Sequence, residues 1–382
     1  MHLLTLNDIP FLIGHLPSPE NPHGLPNLLP LRLALDEDTG RVFQEYDSEI
    51  AGHLAQAYAH GSLLGTAMDD TEMGRPYAID FLEFLKNKFE SLQSSKVLEI
   101  GAGRGYFVKL LSAEGADAIG IEPGISNAPH WKRHNVRVIC CSFPSSKLSA
   151  TFDLIVSFAL LEHIVNPVEF LRSLKSQLTS GGKIAMAVPN VGLAIANGDL
   201  AMFIHEHYSF FSKSSLERTL AAAGFRCLAV EPAKYGGALY LLAEVSSDGA
   251  QDSSQDTSHG SATAEAREFP AKVQKNIAFF RRRLQGALER GRSVGIYCAA
   301  CALPLLPSDA KVRLFDDDPD LHKRFYPALR ASIENRADLL RDPVDEIWIM
   351  SRSFGVRLKQ SLSEASQLKH SSIFLMNELF AT

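Results

Sequence analysis

Residues 96–122 read KVLEIGAGRGYFVKLLSAEGADAIGIE, and this stretch decides the fold of the chain. Residues 97–100 have the apolar character of a short buried strand, and residues 107–111 change to helical spacing. Between them lies a turn that is flexible because of three glycines: Gly101, Gly103 and Gly105. A second short strand is predicted at 118–121. The stretch therefore predicts a strand, a turn, a helix and a neighbouring strand, which is the repeating unit of a doubly wound sheet.

The positions of the acidic residues around this turn separate two kinds of nucleotide ligand. A dinucleotide fold expects its third glycine at position 106, where this chain has Tyr106. Glu99 precedes the turn, and its carboxylate would repel a pyrophosphate but attract a cation. Glu122 ends the second strand, where a carboxylate can bind the hydroxyls of a ribose. A ligand with an ammonium group, a ribose and no phosphate, such as S-adenosylmethionine, is expected, and a plain Rossmann-type turn is the alternative.

In these respects the stretch resembles motif I of the class I S-adenosylmethionine-dependent methyltransferases, with Glu122 as the ribose-binding acid. The resemblance implies S-adenosyl-L-methionine as the cofactor. Three further residues follow predicted strands at places where such a fold holds the adenine and the methionine portion, although plain packing would also explain them. The expected cofactor-binding residues are Glu99, Gly101, Gly103, Gly105, Glu122, Ser142, Phe143 and Phe158.

Length and composition describe an ordinary globular protein with more than one domain. The chain has 382 residues, of which 46% are hydrophobic and 21% charged, and its net charge is −6. That charge argues against nucleic acid as a partner. No apolar run is long enough to span a membrane and no signal-peptide pattern is present, so a cytoplasmic protein without a membrane partner is expected. The expected partner is a small-molecule acceptor, and the oligomeric state stays open.

The five cysteines do not form a pattern typical of disulfides or of a metal site. Cys298 and Cys301 form a CxxC, but a second pair for tetrahedral zinc is missing. We therefore expect no metal among the functional residues.

The chain order predicts four regions around an α/β core. These are a small irregular N-terminal module at 1–45, a cofactor-binding domain with a helical arm at 46–245, a flexible linker at 246–264, and a smaller α/β domain at 265–382. Strands are expected at 31–35, 41–43, 97–100, 118–121, 136–141, 153–157, 183–188, 227–231, 238–245, 294–298, 312–316, 346–350 and 372–376. Helices are expected at 48–67, 77–89, 105–114, 167–178, 213–223, 268–290 and 355–368.

One segment concentrates groups that could catalyse proton transfer. Residues 204–212 read IHEHYSFFS and follow the strand predicted at 183–188, at the sheet edge where ligands of doubly wound folds bind. His205, Glu206 and His207 could supply a base or position the substrate. A structural role and a metal site are the alternatives, although a third metal ligand is not evident.

His163 is a second candidate, because it follows the strand predicted at 153–157 on the same edge of the sheet. Together with Glu162 it could orient an acceptor, or the two could begin a solvated loop.

Taken over nearly its full length, the chain resembles the sugar C-methyltransferase family of bacterial deoxysugar biosynthesis. That family joins a zinc-binding module, a class I methyltransferase domain and a C-terminal α/β domain that helps to hold a nucleotide-linked keto sugar. The segments that carry the resemblance are PLRLALDEDTGRVFQ at 30–44, VLEIGAGRG at 97–105, IHEHYSFFS at 204–212, YGGALYLLAE at 235–244 and FDDDP at 315–319.

The resemblance implies a methyltransferase that acts on carbon. His207 would be the general base that removes a proton beside the ketone, Glu206 would support it, and His163 would be a further active-site histidine. Three features depart from the family: residues 1–45 contain no cysteine, Ile204 stands where the family has tyrosine, and the C-terminal turn reads CAACALP. Methylation of oxygen or nitrogen in another small molecule, or a non-catalytic relative that binds S-adenosylmethionine, are the alternatives.

Overall fold

The structure is a computed structural model, and it describes residues 1–11, 16, 18, 24–59, 70, 74–234, 236–246, 256–326, 329, 331–351 and 355–380. The strands are β1 (His2–Pro10), β2 (Leu28–Asp36), β3 (Arg41–Gln44), β4 (Lys96–Ile100), β5 (Asp117–Ile121), β6 (Val138–Ile139), β7 (Phe152–Phe158), β8 (Leu178–Pro189), β9 (Ser209–Phe210), β10 (Phe225–Pro232), β11 (Ala238–Val245), β12 (Val294–Tyr297), β13 (Arg313–Phe315), β14 (Ile333–Glu334), β15 (Glu346–Ile349) and β16 (Ser372–Leu375). The helices are α1 (Ser48–Ala59), α2 (Gly74–Lys88), α3 (Tyr106–Ala113), α4 (Ala128–His134), α5 (Pro167–Leu174), α6 (Gly192–Asn197), α7 (Lys213–Ala222), α8 (Asp256–Glu289), α9 (Arg336–Arg341) and α10 (Gly355–Ser363).

The central sheet has the doubly wound topology that the sequence predicts. Its seven strands have the order β10-β11-β8-β7-β4-β5-β6, and the strands from β8 to β6 in this order are parallel. β11 runs antiparallel to β8, and β10 runs antiparallel to β11. Both faces are covered, since Phe81 of α2 and Phe107 of α3 stack 5.3 Å apart on one side. Leu171 of α5 and Leu216 of α7 are buried on the other side. The predicted Rossmann-like α/β fold is confirmed.

The N-terminal region is more regular than the sequence indicates. β1, β2 and β3 form an antiparallel sheet, and β9 from the histidine segment joins it as a fourth strand. The strands expected at 31–35 and 41–43 are present in β2 and β3. β1 was not expected, because Asp8 and Pro10 interrupt its alternation and a register shift separates Leu6 from Ile9. The expectation of an irregular module at 1–45 is therefore corrected for the described residues of β1, β2 and β3.

The C-terminal region is a second α/β unit with a parallel sheet, in the order β14-β13-β12-β15-β16. α8 leads into it and begins at Asp256, inside the segment 246–264 that was expected to be a flexible linker. The described side chains Ala266, Phe269 and Val273 of α8 are buried at helical spacing, so the helix packs on the core from Ala266 onward. Residues 247–255 of the expected linker lie outside the described residues.

Two other expectations concern the helical arm and membranes. The first arm helix ends at Ala59 in the structure, and the rest of the expected range to residue 67 lies outside the described residues. Within the described part of the chain, every helix is too short or too polar to cross a bilayer.

Candidate active site

The glycine-rich turn after β4 needs glycine for its backbone conformation and for its packing. Gly101, Gly103 and Gly105 have φ angles of 78°, 49° and 79°, a region that side chains with a Cβ atom rarely adopt. A Cβ atom on Gly105 would lie 2.9 Å from a methyl group of Val136. The indole N–H of Trp131, in α4, donates a hydrogen bond to the carbonyl oxygen of Gly103 at 2.8 Å. This bond connects α4 to the turn.

Glu122 lies beside this turn and is held by backbone N–H groups. Its carboxylate accepts one hydrogen bond from Gly103 at 3.0 Å and one from Gly124 at 2.8 Å. Each oxygen retains a second lone pair, so the carboxylate can also accept from the two hydroxyls of a ribose. The position of Glu122 therefore fits the ribose of S-adenosylmethionine.

Glu99 lies in β4, two residues before Gly101, and is buried with only 3% of its surface exposed. Its Oε2 atom is buried without a hydrogen-bond partner among the described residues. Burial raises the pKa of Glu99 well above its usual value, and the neighbouring charge of Glu122 raises this pKa further. A cation beside Glu99 would restore the ionised form, so this residue fits the ammonium group of S-adenosylmethionine.

The three aromatic and hydroxyl candidates lie in different surroundings. Ser142 is exposed, whereas Phe143 is half-buried and packs its edge against Phe170 of α5 at 5.8 Å. Phe158 ends β7 and meets the ring of Phe81 at 5.9 Å. Phe143 and Phe158 thus have packing contacts of their own, and their roles toward a cofactor stay predictions.

The histidine segment is held between the N-terminal sheet and the central sheet. Gln44 makes two hydrogen bonds to the histidine segment. The side-chain amide of Gln44 donates to the carbonyl oxygen of His205 at 3.2 Å, and the backbone N–H of Gln44 donates to the carbonyl oxygen of Tyr208 at 3.1 Å. The backbone N–H of Tyr208 donates to the carbonyl oxygen of Glu162 at 2.7 Å. The segment therefore lies against the short helical turn Leu161–His163 that follows β7.

These contacts bring Glu162, His163 and His207 together in one cluster. The rings of His163 and His207 meet edge to face with their centres 5.0 Å apart. Nε2 of His163 is 3.9 Å from Oε1 of Glu162, and one ligand-type atom from each of the three residues lies within 4.8 Å of the other two. The cluster follows β7, which is the neighbour of the glycine-bearing β4 in the sheet. Leu160, just before the cluster, is the side chain nearest to the place where a Cβ atom on Gly101 would lie.

Backbone carbonyl groups orient both imidazole rings of the cluster. Nδ1 of His163 donates to the carbonyl oxygen of Glu206 at 2.8 Å, and Nδ1 of His207 donates to that of Met202 at 3.3 Å. Because a carbonyl oxygen can only accept, each neutral ring carries its proton on Nδ1 and its lone pair on Nε2.

Burial keeps the cluster uncharged. It lowers the pKa of His163 and, together with repulsion from His163, lowers the pKa of His207 to about 3. Burial also raises the pKa of Glu162 to about 8. Glu162 is 1% exposed, and neither of its carboxylate oxygens has a hydrogen-bond partner among the described residues.

The structure does not bring His205 to this cluster. The ring of His205 packs against Phe11 at 5.5 Å, and its Nε2 atom donates to the carbonyl oxygen of Pro30 at 3.3 Å. Burial lowers its pKa to about 4. Glu206 contributes the backbone carbonyl that orients His163, and its side chain is 5% exposed.

Sequence reasoning missed two contributors to the site and gave too little weight to a third. Trp131 and Arg41 form their contacts through tertiary packing and have no local sequence pattern. Glu162 was expected either to orient an acceptor together with His163 or to begin a solvated loop, and it was not expected to be buried. An acidic residue four positions after a buried strand, beside a histidine, was the available indication that it belongs to the site.

Part of the chain is similar to known methyltransferases. Residues 71–230 match a family described as "Methyltransferase domain". The chain is 24% identical over 167 residues to the ubiquinone biosynthesis O-methyltransferase of Idiomarina loihiensis. The matched region covers 39% of this chain and 69% of that protein. The chain is also 24% identical over 218 residues to the C-methyltransferase NovU of Streptomyces niveus. This match covers 53% of this chain and 52% of that protein. A solved 1,6-didemethyltoxoflavin-N1-methyltransferase from Burkholderia thailandensis is 18% identical, with a TM-score of 0.39, and the match covers 54% of this chain and 96% of that one.

Proposed function

We propose that this protein is an S-adenosylmethionine-dependent methyltransferase that methylates a carbon atom of a nucleotide-linked keto sugar. Residues 71–230, which match the methyltransferase family, would form the catalytic domain. The observation that carries the proposal is the pair of adjacent imidazoles, the buried His207 and the half-buried His163, at the sheet edge beside the glycine-rich turn. In this assignment His207 is the general base that removes the proton from the carbon next to the ketone.

The surroundings of His207 support its role as a base. Its Nδ1 atom is occupied by the carbonyl oxygen of Met202, so Nε2 is the atom that accepts a proton. Because burial lowers its pKa to about 3, the ring is neutral at physiological pH and its lone pair is available.

The cofactor-binding residues follow from the same geometry. S-adenosylmethionine supplies an activated methyl group, so the protein must mainly hold the acceptor in line with it. We assign Glu122 to the ribose and Glu99 to the ammonium group. The glycines let the backbone approach the cofactor closely, while Ser142, Phe143 and Phe158 remain proposed neighbours of it.

A polar cavity supports an acceptor that is larger than a simple sugar. It has a volume of about 450 Å³ and lies between the methyltransferase domain and the C-terminal sheet. Its polar lining includes Asn197, Asp199, Asn276, Ser351 and Asn377. Asp199, in the lining, precedes His207 by eight residues in the chain. We therefore assign the nucleotide portion of the acceptor to this cavity, and substrate binding to the C-terminal region.

Methylation of a hydroxyl group is the second candidate. One of the relatives is named an O-methyltransferase, and a neutral His207 could remove a proton from oxygen as well as from carbon.

The two candidates differ in which bond receives the labelled methyl group. The purified protein would be incubated with methyl-labelled S-adenosylmethionine and either nucleotide-linked keto sugars or simple hydroxylated acceptors. We expect a new carbon–carbon bond in the keto sugar, detected by NMR coupling between the label and the ring carbon. Label found only on oxygen would reject the carbon assignment and favour the second candidate.

A further inference from the structure

We propose that Glu162, His163 and His207 form a binding site for one divalent transition metal ion, with Zn²⁺ as the expected occupant. One ligand-type atom from each of these residues lies within 4.8 Å of the other two, and within the described ranges this is the one group of this kind. The sequence did not predict the site, because the nearby His-x-His pair lacks a third ligand and His205 points elsewhere.

The two histidines are arranged as metal ligands commonly are. Each ring donates its Nδ1 proton to a backbone carbonyl, from Glu206 in one case and Met202 in the other. Such a bond fixes the tautomer and leaves Nε2 as the coordinating atom. Both Nε2 atoms therefore carry lone pairs, and neither ring has to lose a proton on binding a metal.

The third ligand is a carboxylate without a partner. Both oxygens of Glu162 are buried and lack hydrogen bonds from the described residues, and the side chain is 1% exposed. A buried carboxylate in this condition must hold a proton or meet a cation. The raised pKa of Glu162 describes the first state, and a metal ion would provide the second by displacing the proton.

The three ligand-type atoms lie within 4.8 Å of one another, so the side chains must move closer together to bind one ion. Zinc binds nitrogen and carboxylate oxygen at about 2.0–2.2 Å, so its tetrahedral ligands lie about 3.3–3.5 Å apart. Oε1 of Glu162 and Nε2 of His163 are already 3.9 Å apart. Two imidazoles and one carboxylate are a ligand set of zinc and of non-haem iron sites with open positions, whereas Mg²⁺ prefers oxygen ligands.

One consequence rests on the proposed function. The Nε2 lone pair of His207 cannot coordinate a metal and accept a proton at the same time. Bound Zn²⁺ and catalysis by a His207 base therefore exclude each other, and Zn²⁺ would inhibit methyl transfer.

Metal binding can be measured without reference to any substrate. The 382-residue protein, stripped with a chelator, would be titrated with Zn²⁺ by calorimetry and with Co²⁺ by visible absorption. We expect one equivalent to bind to the wild type, and both Glu162→Gln and His163→Gln to weaken this binding by more than about tenfold. Circular dichroism would confirm that both variants are folded, and the Glu162→Gln variant keeps the shape of the side chain.

Two control variants identify competing sites. His322→Gln removes a histidine that pairs with Asp338 at 3.1 Å, and Cys298→Ser removes one thiol of the CxxC. Both should retain the equivalent of metal. Unchanged Zn²⁺ binding in Glu162→Gln and His163→Gln, or its loss in Cys298→Ser, would overturn the metal site while leaving the proposed function intact. Metal binding as expected, with no acceptor methylated by the metal-free protein, would instead overturn the proposed function and keep the metal site.

Discussion

Nη1 of Arg41 donates a hydrogen bond to Oγ of Ser209 at 2.6 Å, although 168 positions separate the two residues in the chain. Arg41 is 8% exposed and also lies 3.7 Å from Asp36. Burial lowers its pKa, and the charge of Asp36 opposes that effect. Because Ser209 belongs to the histidine segment at 204–212, this bond ties the N-terminal sheet to the residues that we assign to catalysis.

Replacing Arg41 with methionine should therefore affect both stability and turnover. We expect the free energy of unfolding to fall by about 1–3 kcal/mol, because the buried partners of a charged group lose its hydrogen bonds. Turnover should fall while the affinity for S-adenosylhomocysteine stays the same, as measured by urea denaturation, rate assays and calorimetry. Arg32→Met is the matched control, since Arg32 pairs with Asp47 at a more exposed position and should contribute less than about 1 kcal/mol. Equal losses in the two variants would contradict the role of Arg41.

The two histidines of the HEH segment should differ sharply when each is replaced by glutamine. His207→Gln should lower kcat by about 10²–10⁴, the usual contribution of a general base, with little change in cofactor affinity. His205→Gln should mainly lower stability, because His205 packs on Phe11 and binds the carbonyl oxygen of Pro30. Rate measurements on both variants decide the matter, and a larger loss of kcat in His205→Gln would reverse our assignment.

The raised pKa of Glu162 predicts how stability depends on pH. Between the ordinary glutamate pKa of 4.5 and its value of about 8 in the fold, the folded protein binds a proton that the unfolded chain does not. The contribution of Glu162 to stability is therefore full below the lower pKa and is lost as the pH rises, by about 1.4 kcal/mol per pH unit within that window.

The variant Glu162→Gln tests this by removing the titration. Its stability relative to the wild type should increase from pH 5 to pH 8, as measured by urea denaturation in the metal-free protein. Glu169→Gln, which removes an exposed carboxylate of α5, should not change the pH dependence. A constant difference between Glu162→Gln and the wild type across this range would show that Glu162 is not buried as described.

Two glycines with the same φ angle separate the cost of backbone strain from that of crowding. Gly105 and Gly181 both have a φ angle of 79°. A Cβ atom added to Gly105 would lie 2.9 Å from a methyl group of Val136, whereas a Cβ atom added to Gly181 would have no atom within 4 Å. Gly181→Ala should cost about 1–2 kcal/mol of stability from strain alone. Gly105→Ala should cost about 1–3 kcal/mol more from overpacking and should weaken the binding of S-adenosylhomocysteine. Denaturation and calorimetry measure both quantities, and equal costs would argue against the close packing of the turn.

The central sheet could be predicted because its strands are short apolar runs between recognisable turns. The glycine-rich turn and Glu122 are also local patterns, and the structure places them side by side. β14 and α9 were missed because β14 has only two residues and α9 only six, too few for a periodic pattern.

The candidate site was only partly visible in the sequence. The HEH segment identified the correct loop, but the roles of its members depend on which way each ring points. His207 turns toward His163, whereas His205 turns toward Pro30. The segment is held in place by the pairing of β9, which follows the two histidines, with β3. That pairing joins residues far apart in the sequence, so no local pattern could indicate it.

Three stacked phenylalanines have a practical consequence for any attempt to divide the protein. Phe203 lies 4.4 Å from Phe210 and 4.8 Å from Phe269 of α8, measured between ring centres, and all three are buried in a core that continues into the C-terminal sheet. A fragment ending after β11 would leave Phe203 and Phe210 facing water next to the proposed base. Expression of the cofactor-binding half alone should therefore give aggregated material, and enzymologists should work with the intact polypeptide.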